Sequence, residues 1–181
     1  MTTKTLMSIE EYDALPEKEG VKYELSEGEL ITVAASPRLY HNRVRDELAF
    51  SLRQFVRANK LGEVTIETDF KLSEDVVRIP DVAFITASRA VSIDPKKRLE
   101  GEPDLAVEVV SPTDDPEDLI VNIRQYLRTG AQAVRVLYPE ARVAYIYKPG
   151  ERPDVREASQ NLDDPELFPG FSVPLSELFG N

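Results

Sequence analysis

The chain has 181 residues, 41% apolar and 30% charged, which suits one domain over residues 1–181 and excludes both wholesale disorder and a membrane-embedded protein. It carries no cysteine and one histidine, His41, so disulfide frameworks, thiolate metal sites and two-histidine sites are excluded, and oxygen-ligand chemistry is what remains. The net charge of −11 argues against nonspecific coating of nucleic acid, and the lack of a long apolar run predicts a cytoplasmic protein with no membrane partner.

Residues 1–20 read as a lead-in with one short helix. Ser8 and Glu11 have capping-box spacing, and Pro16 ends the helix soon after Ala14. In KYELSEGELITVA two apolar runs flank Glu27-Gly28, the pattern of a β-hairpin. From about Pro37 the period changes: Val44, Leu48, Leu52, Phe55 and Val56 recur at three- and four-residue intervals, predicting an amphipathic helix that Gly62 stops. Residues 38–60 set six cations, Arg38, Arg43, Arg45, Arg53, Arg57 and Lys60, against Asp46 and Glu47, a local balance of +4. They are either a phosphate-facing surface or simply the solvated side of the helix.

GEVTIETDFKLS and VVRIPDVAFIT are β-rich and meet at a Glu74-Asp75 turn, and PDLAVEVVSP predicts a third strand. A second helix starts at Pro116 behind Asp114 and Asp115 and closes at Gly130. AVRVLYP and VAYIYKP are two more strands around Glu140-Ala141-Arg142, and residues 150–181 predict an extension laid over the core as a loop and a short helix. Strands split by two helices argue for an α/β fold with a mixed sheet flanked by helices.

The chemistry is expected at Pro80-Asp81 and Glu108. A proline ahead of the aspartate blocks one ladder hydrogen bond, so Asp81 falls where a strand bends or loses its neighbour. If the two carboxylates share a side, they can hold Mg²⁺ (or Mn²⁺), a hard cation that keeps waters for hydrolysis. The plainer alternative is a pair of solvated strand-end carboxylates. Glu24 and Glu67 are candidate further carboxylates, with a solvated hairpin position the plainer reading of Glu24. No glycine-rich nucleotide loop is present.

YELSEG at 23–28, SPRLYHNRV at 36–44, RIPDVAF at 78–84, PDLAVEVVSP at 103–112 and RQYLRTG at 124–130 together resemble the restriction endonuclease-like family expanded in photosynthetic bacteria, a branch of the PD-(D/E)XK nuclease superfamily. The resemblance implies a restriction endonuclease-like core, a Mg²⁺-dependent endonuclease acting on DNA, and Asp81 and Glu108 as its metal ligands. It also implies a catalytic lysine, either two residues after the glutamate, where this chain has Val110, or four residues before Tyr126, where it has Asn122. Asn122 donates a hydrogen bond but carries no charge, and helical geometry sets Arg124 roughly 160° away around the axis. In the strand AVRVLYP the family commonly shows a tryptophan and an aspartate, and this chain has Arg135 and Tyr138. His41, Arg43, Arg78 and Arg124 are the expected phosphate contacts. Two alternatives stand beside a slow enzyme: an inactive nuclease fold that binds nucleic acid or protein, and a homodimer whose partner supplies the missing charge.

Overall fold

The structure is a computed structural model that describes residues 6–16, 18–34, 39–94 and 97–180. Pro37 and Arg38, where the long helix and its basic run were expected to begin, lie outside the described residues.

The short helix α1 spans Ile9–Asp13 and carries the full capping box: the Ser8 hydroxyl accepts from Glu11 N and the Glu11 carboxylate accepts from Ser8 N. It buries Ile9 and Tyr12 against Leu25 and Val77. The hairpin β1 (Val21–Ser26) and β2 (Glu29–Ala34) turns through Glu27 at φ +50° and Gly28 at φ +81°, the two left-handed positions of a type I′ turn. Helix α2 (Leu39–Asn59) buries Val44, Leu48, Ala49, Leu52 and Val56. At Gly62, which opens β3 (Gly62–Ile66), a Cβ would stand 1.9 Å from the Ile85 carbonyl oxygen. Only glycine allows the chain to leave the helix and join the sheet so closely.

Each of the two β-rich runs divides in two, a departure from the expected continuous strands. After β3 the chain reverses at Glu67, φ +48°, into β4 (Phe70–Ser73); β5 (Val76–Arg78) is then separated from β6 (Val82–Thr86) by Ile79, Pro80 and Asp81. Residues ahead of a proline favour extended backbone, and the proline itself offers no donor, so pairing lapses there. A four-residue helix, α3 (Ala87–Ala90), and the two-residue β7 (Leu99–Glu100) lead to β8 (Leu105–Val109). Helix α4 (Pro116–Thr129) is capped by the Asp115 carboxylate, which accepts from Glu117 N. β9 (Ala133–Tyr138) and β10 (Val143–Tyr147) follow. The C-terminal extension is more ordered than a loop and helix: β11 (Asp154–Glu157) pairs with β10, and β12 (Asn161–Asp163) with β13 (Ser172–Pro174), ahead of α5 (Leu175–Phe179).

The strands form a six-stranded mixed sheet, ordered β11-β10-β9-β8-β6-β3, and a second sheet ordered β2-β1-β5-β4-β7. Only β8 and β9 run parallel in the first sheet, linked through α4. One face of that sheet packs against α2, α5 and Phe168, Phe171 and Phe179; the other packs against α4 and the second sheet. Both sides of β8 are therefore buried at Leu105, Ala106 and Val107, and each such side chain contributes roughly 1–3 kcal/mol to the fold. Within the second sheet the hairpin joins β5 at one pair, Leu25 opposite Val77, and this brings the hairpin over the start of β6. No helix among the described residues is long and apolar enough to cross a membrane.

Candidate nuclease site

Antiparallel pairing sets Val82 opposite Val107 and Ala83 opposite Ala106. One further step of that register sets Asp81 opposite Glu108, and opposed residues of an antiparallel pair share a face. Glu108 turns toward α4, where its Oε1 accepts a 3.0 Å hydrogen bond from the Tyr126 hydroxyl. Asp81 precedes the strand, so its carboxylate takes the place of a missing backbone partner: Oδ2 accepts from Val109 N at 2.7 Å. His41 Nε2 from α2 stands 3.4 Å from the same oxygen. The Asp81 carboxylate holds the imidazole above its ordinary pKa, outweighing the opposing effect of burial.

Above the pair lies a buried polar network that the sequence did not announce. Arg78 is 1% exposed; its Nε donates to Gln125 Oε1 at 2.7 Å, Nη1 to Glu24 Oε2 at 2.7 Å and Nη2 to Ser26 Oγ at 2.8 Å. Gln125 Nε2 donates to the same Ser26 hydroxyl at 3.1 Å, and Ile79 N donates to Glu24 Oε1 at 2.9 Å. Arg78 is thus committed inside the fold, which corrects its expected place among solvent-facing phosphate contacts. Glu24 is buried at 7% exposure, not a solvated hairpin residue, because the hairpin folds over β5. It stands near Glu108 as a third carboxylate, with both of its oxygens engaged by Arg78 and Ile79.

Burial, then Asp81, then Glu24 push the Glu108 carboxyl well above the usual carboxylate range, and the Tyr126 hydrogen bond and the Arg78 charge only partly offset this. Folding therefore favours the proton on Glu108. The stability this gives is lost as pH rises above about 4.3, the ordinary glutamate value, toward the raised one. Glu108→Gln removes the ionisation and is expected to raise the Tm of the metal-free protein at pH 7, with little change at pH 4. Each kcal/mol so gained is worth about 2–4 °C in a chain of this size; differential scanning calorimetry at the two pH values checks it, and an equal shift at both would show that ionisation is not the cause.

The other expected residues are dispersed. Glu67 bonds Lys22 and Arg45, and these cations, with His41, hold its carboxyl low although burial opposes them. Its own N–H donates to the Asp81 carbonyl at 3.2 Å, so it buttresses the loop. Arg43 is exposed and lies beside Gly180, and Arg124 is exposed on α4. Asn122 is half-buried, one turn before Tyr126 on the helix flank that carries Gln125.

Among the described residues no three His, Asp or Glu side chains converge as a cation cage. The Asp81–Glu108 pair nevertheless fits Mg²⁺ by its donors. Both are hard carboxylate oxygens, and Mg²⁺ is commonly held by one or two carboxylates, with waters and substrate phosphate completing its shell.

A family model described as Uma2, putative restriction endonuclease, matches residues 9–176. Among solved structures the chain is similar to a putative nuclease belonging to DUF820 from Anabaena variabilis, with TM-score 0.84 and 21% identity over 96% of this chain and 97% of that one. At that identity the likeness is one of fold. No curated protein matches the chain.

Proposed function

The chain belongs to the Uma2 family of putative restriction endonucleases, and from that premise we propose a metal-dependent nuclease that hydrolyses DNA phosphodiesters at Asp81 and Glu108. The observation that carries this reading is the register of β6 on β8, which, continued by one residue, opposes Asp81 and Glu108; burial first, then Asp81 and Glu24, makes ionisation of Glu108 costly. A divalent cation relieves that repulsion. Asp81 and Glu108 would hold Mg²⁺ or Mn²⁺, which when bound supplies a polarised water and offsets charge on the phosphate.

The remaining residues keep this pair in place. Val109 N fixes one Asp81 oxygen, Tyr126 fixes one Glu108 oxygen, and Arg78 holds Glu24 against the β5 strand. No lysine occupies position 110 or 122, which favours a second reading: a slow or inactive site on a fold that binds nucleic acid.

Titration calorimetry with MgCl₂ and MnCl₂ separates the two. The nuclease reading expects binding that Asp81→Asn, which removes a ligand charge, weakens by at least the roughly 10–100-fold that loss of an outer-shell partner costs, together with nicking of plasmid DNA that EDTA stops. No metal binding, with salt-sensitive DNA binding intact, would leave only the second reading.

A further inference from the structure

A groove of about 400 Å³ is lined by α1, the start of β1, Asp69, Ile79 and Arg98. Its volume is in the range of a ligand site, and its chemistry is that of a nucleotide. Tyr23 and the Arg98 guanidinium give flat faces, and Arg98 is itself stacked 4.8 Å over the Tyr12 ring. Lys18 and Lys22 bring positive charge to the rim. Arg98 Nη1 bonds Asp13 at 2.6 Å, whereas its Nε is buried without a hydrogen-bond partner and 3.9 Å from Asp69. An unpartnered donor beside a carboxyl is what the edge of a base could satisfy. Burial raises the Asp69 carboxyl pKa, and the Arg98 charge opposes this.

The groove joins the site through two residues. Ile79 lines it two positions before Asp81, and Lys22 lines it while bonding Glu67, whose N–H holds the Asp81 carbonyl. A base inside a duplex is stacked and paired, so its faces and edge reach such a groove only when the nucleotide is unpaired. We propose that this groove is a subsite for the unpaired nucleotide flanking the scissile phosphate, and that the strand offered to Asp81 and Glu108 is single-stranded DNA. The inference rests on the nuclease reading for its catalytic half, and on the groove alone for its binding half.

Fluorescence anisotropy in EDTA, with a labelled oligothymidylate and a duplex of equal length, reads binding without cleavage. The single strand is expected to bind roughly 10-fold or more tightly than the duplex, and Tyr23→Leu to weaken it roughly 5–150-fold, the range of one base–aromatic stack. Lys22→Gln, a half-exposed position, is expected to lower single-strand affinity and its salt dependence while the Tm stays put, which guards against a misfolded Tyr23 variant. Equal affinity for the two DNAs, or single-strand binding indifferent to both substitutions, overturns the subsite. Metal-dependent cleavage that persists with the groove variants neutral condemns the groove alone. Single-strand preference in a protein that never cleaves condemns only the catalytic reading.

Discussion

Asn122→Lys is expected to raise the rate of Mg²⁺-dependent DNA cleavage by roughly 10²–10³-fold, the usual worth of one preorganised electrostatic donor aimed at a developing charge. Position 122 is one helical turn from Tyr126, whose hydroxyl already reaches Glu108, so a lysine there extends along the same flank toward the carboxylates. Glu24 is already neutralised by Arg78, so the ammonium would serve the Asp81–Glu108 pair. Asn122→Met, similar in length and uncharged, is the control and is expected to leave the rate within a fewfold of the parent. Single-turnover cleavage of a labelled oligonucleotide measures both. If lysine and methionine give the same rate, charge at this position does not limit the reaction, and the buried Arg78 guanidinium becomes the cation to test.

The features legible in the sequence are local ones. Ser8 and Glu11 cap α1, Glu27-Gly28 turns the hairpin, and Asp115-Pro116 opens α4 as their spacing predicts, because each depends on residues within one turn of each other. The break in pairing at Asp81 is legible through Pro80, and the choice of Asp81 and Glu108 as candidate ligands comes from the family resemblance. Their opposition depends on the register of β6 with β8, which no local pattern carries. The Arg78 network was illegible for a similar reason. Its partners Gln125 and Glu24 lie 47 and 54 residues away in sequence, on a helix and a different strand. An arginine before Pro-Asp looks like a phosphate contact until the hairpin is seen to cover it. The short strands β11, β12 and β13 have three or four residues each, too few for a two-residue period to stand out.

Asp164→Ala is expected to destabilise the protein by about 3–5 kcal/mol, the cost of leaving one member of a buried ion pair alone, or roughly 6–20 °C in Tm at this chain length. Arg135 is fully buried on β9, and its Nη2 lies 3.4 Å from Asp164 Oδ2. Burial lowers its pKa, and Asp164 is the first group that resists this. Nε and Nη1 have no hydrogen-bond partner, so the charge depends on Asp164, on the Asp163 carbonyl, which accepts from Nη2 at 3.4 Å, and on the Phe168 ring, 5.6 Å from Cζ. Asp164 also ends its own turn: Oδ1 accepts from Glu166 N and Leu167 N, and its carbonyl accepts from Phe168 N at 2.8 Å. One carboxylate thus pins the C-terminal extension to the central sheet. The double variant Arg135→Met, Asp164→Asn removes both charges and keeps a side-chain acceptor for the turn, and it is expected to recover most of the lost Tm. Thermal unfolding followed by circular dichroism tests this, and a change within about 2 °C for Asp164→Ala would show that water already screens the pair. Arg135 lies on the sheet face occupied by α2 and the C-terminal phenylalanines, away from Glu108 and Tyr126. Its departure from the tryptophan common in the resembling family is therefore a matter of core packing.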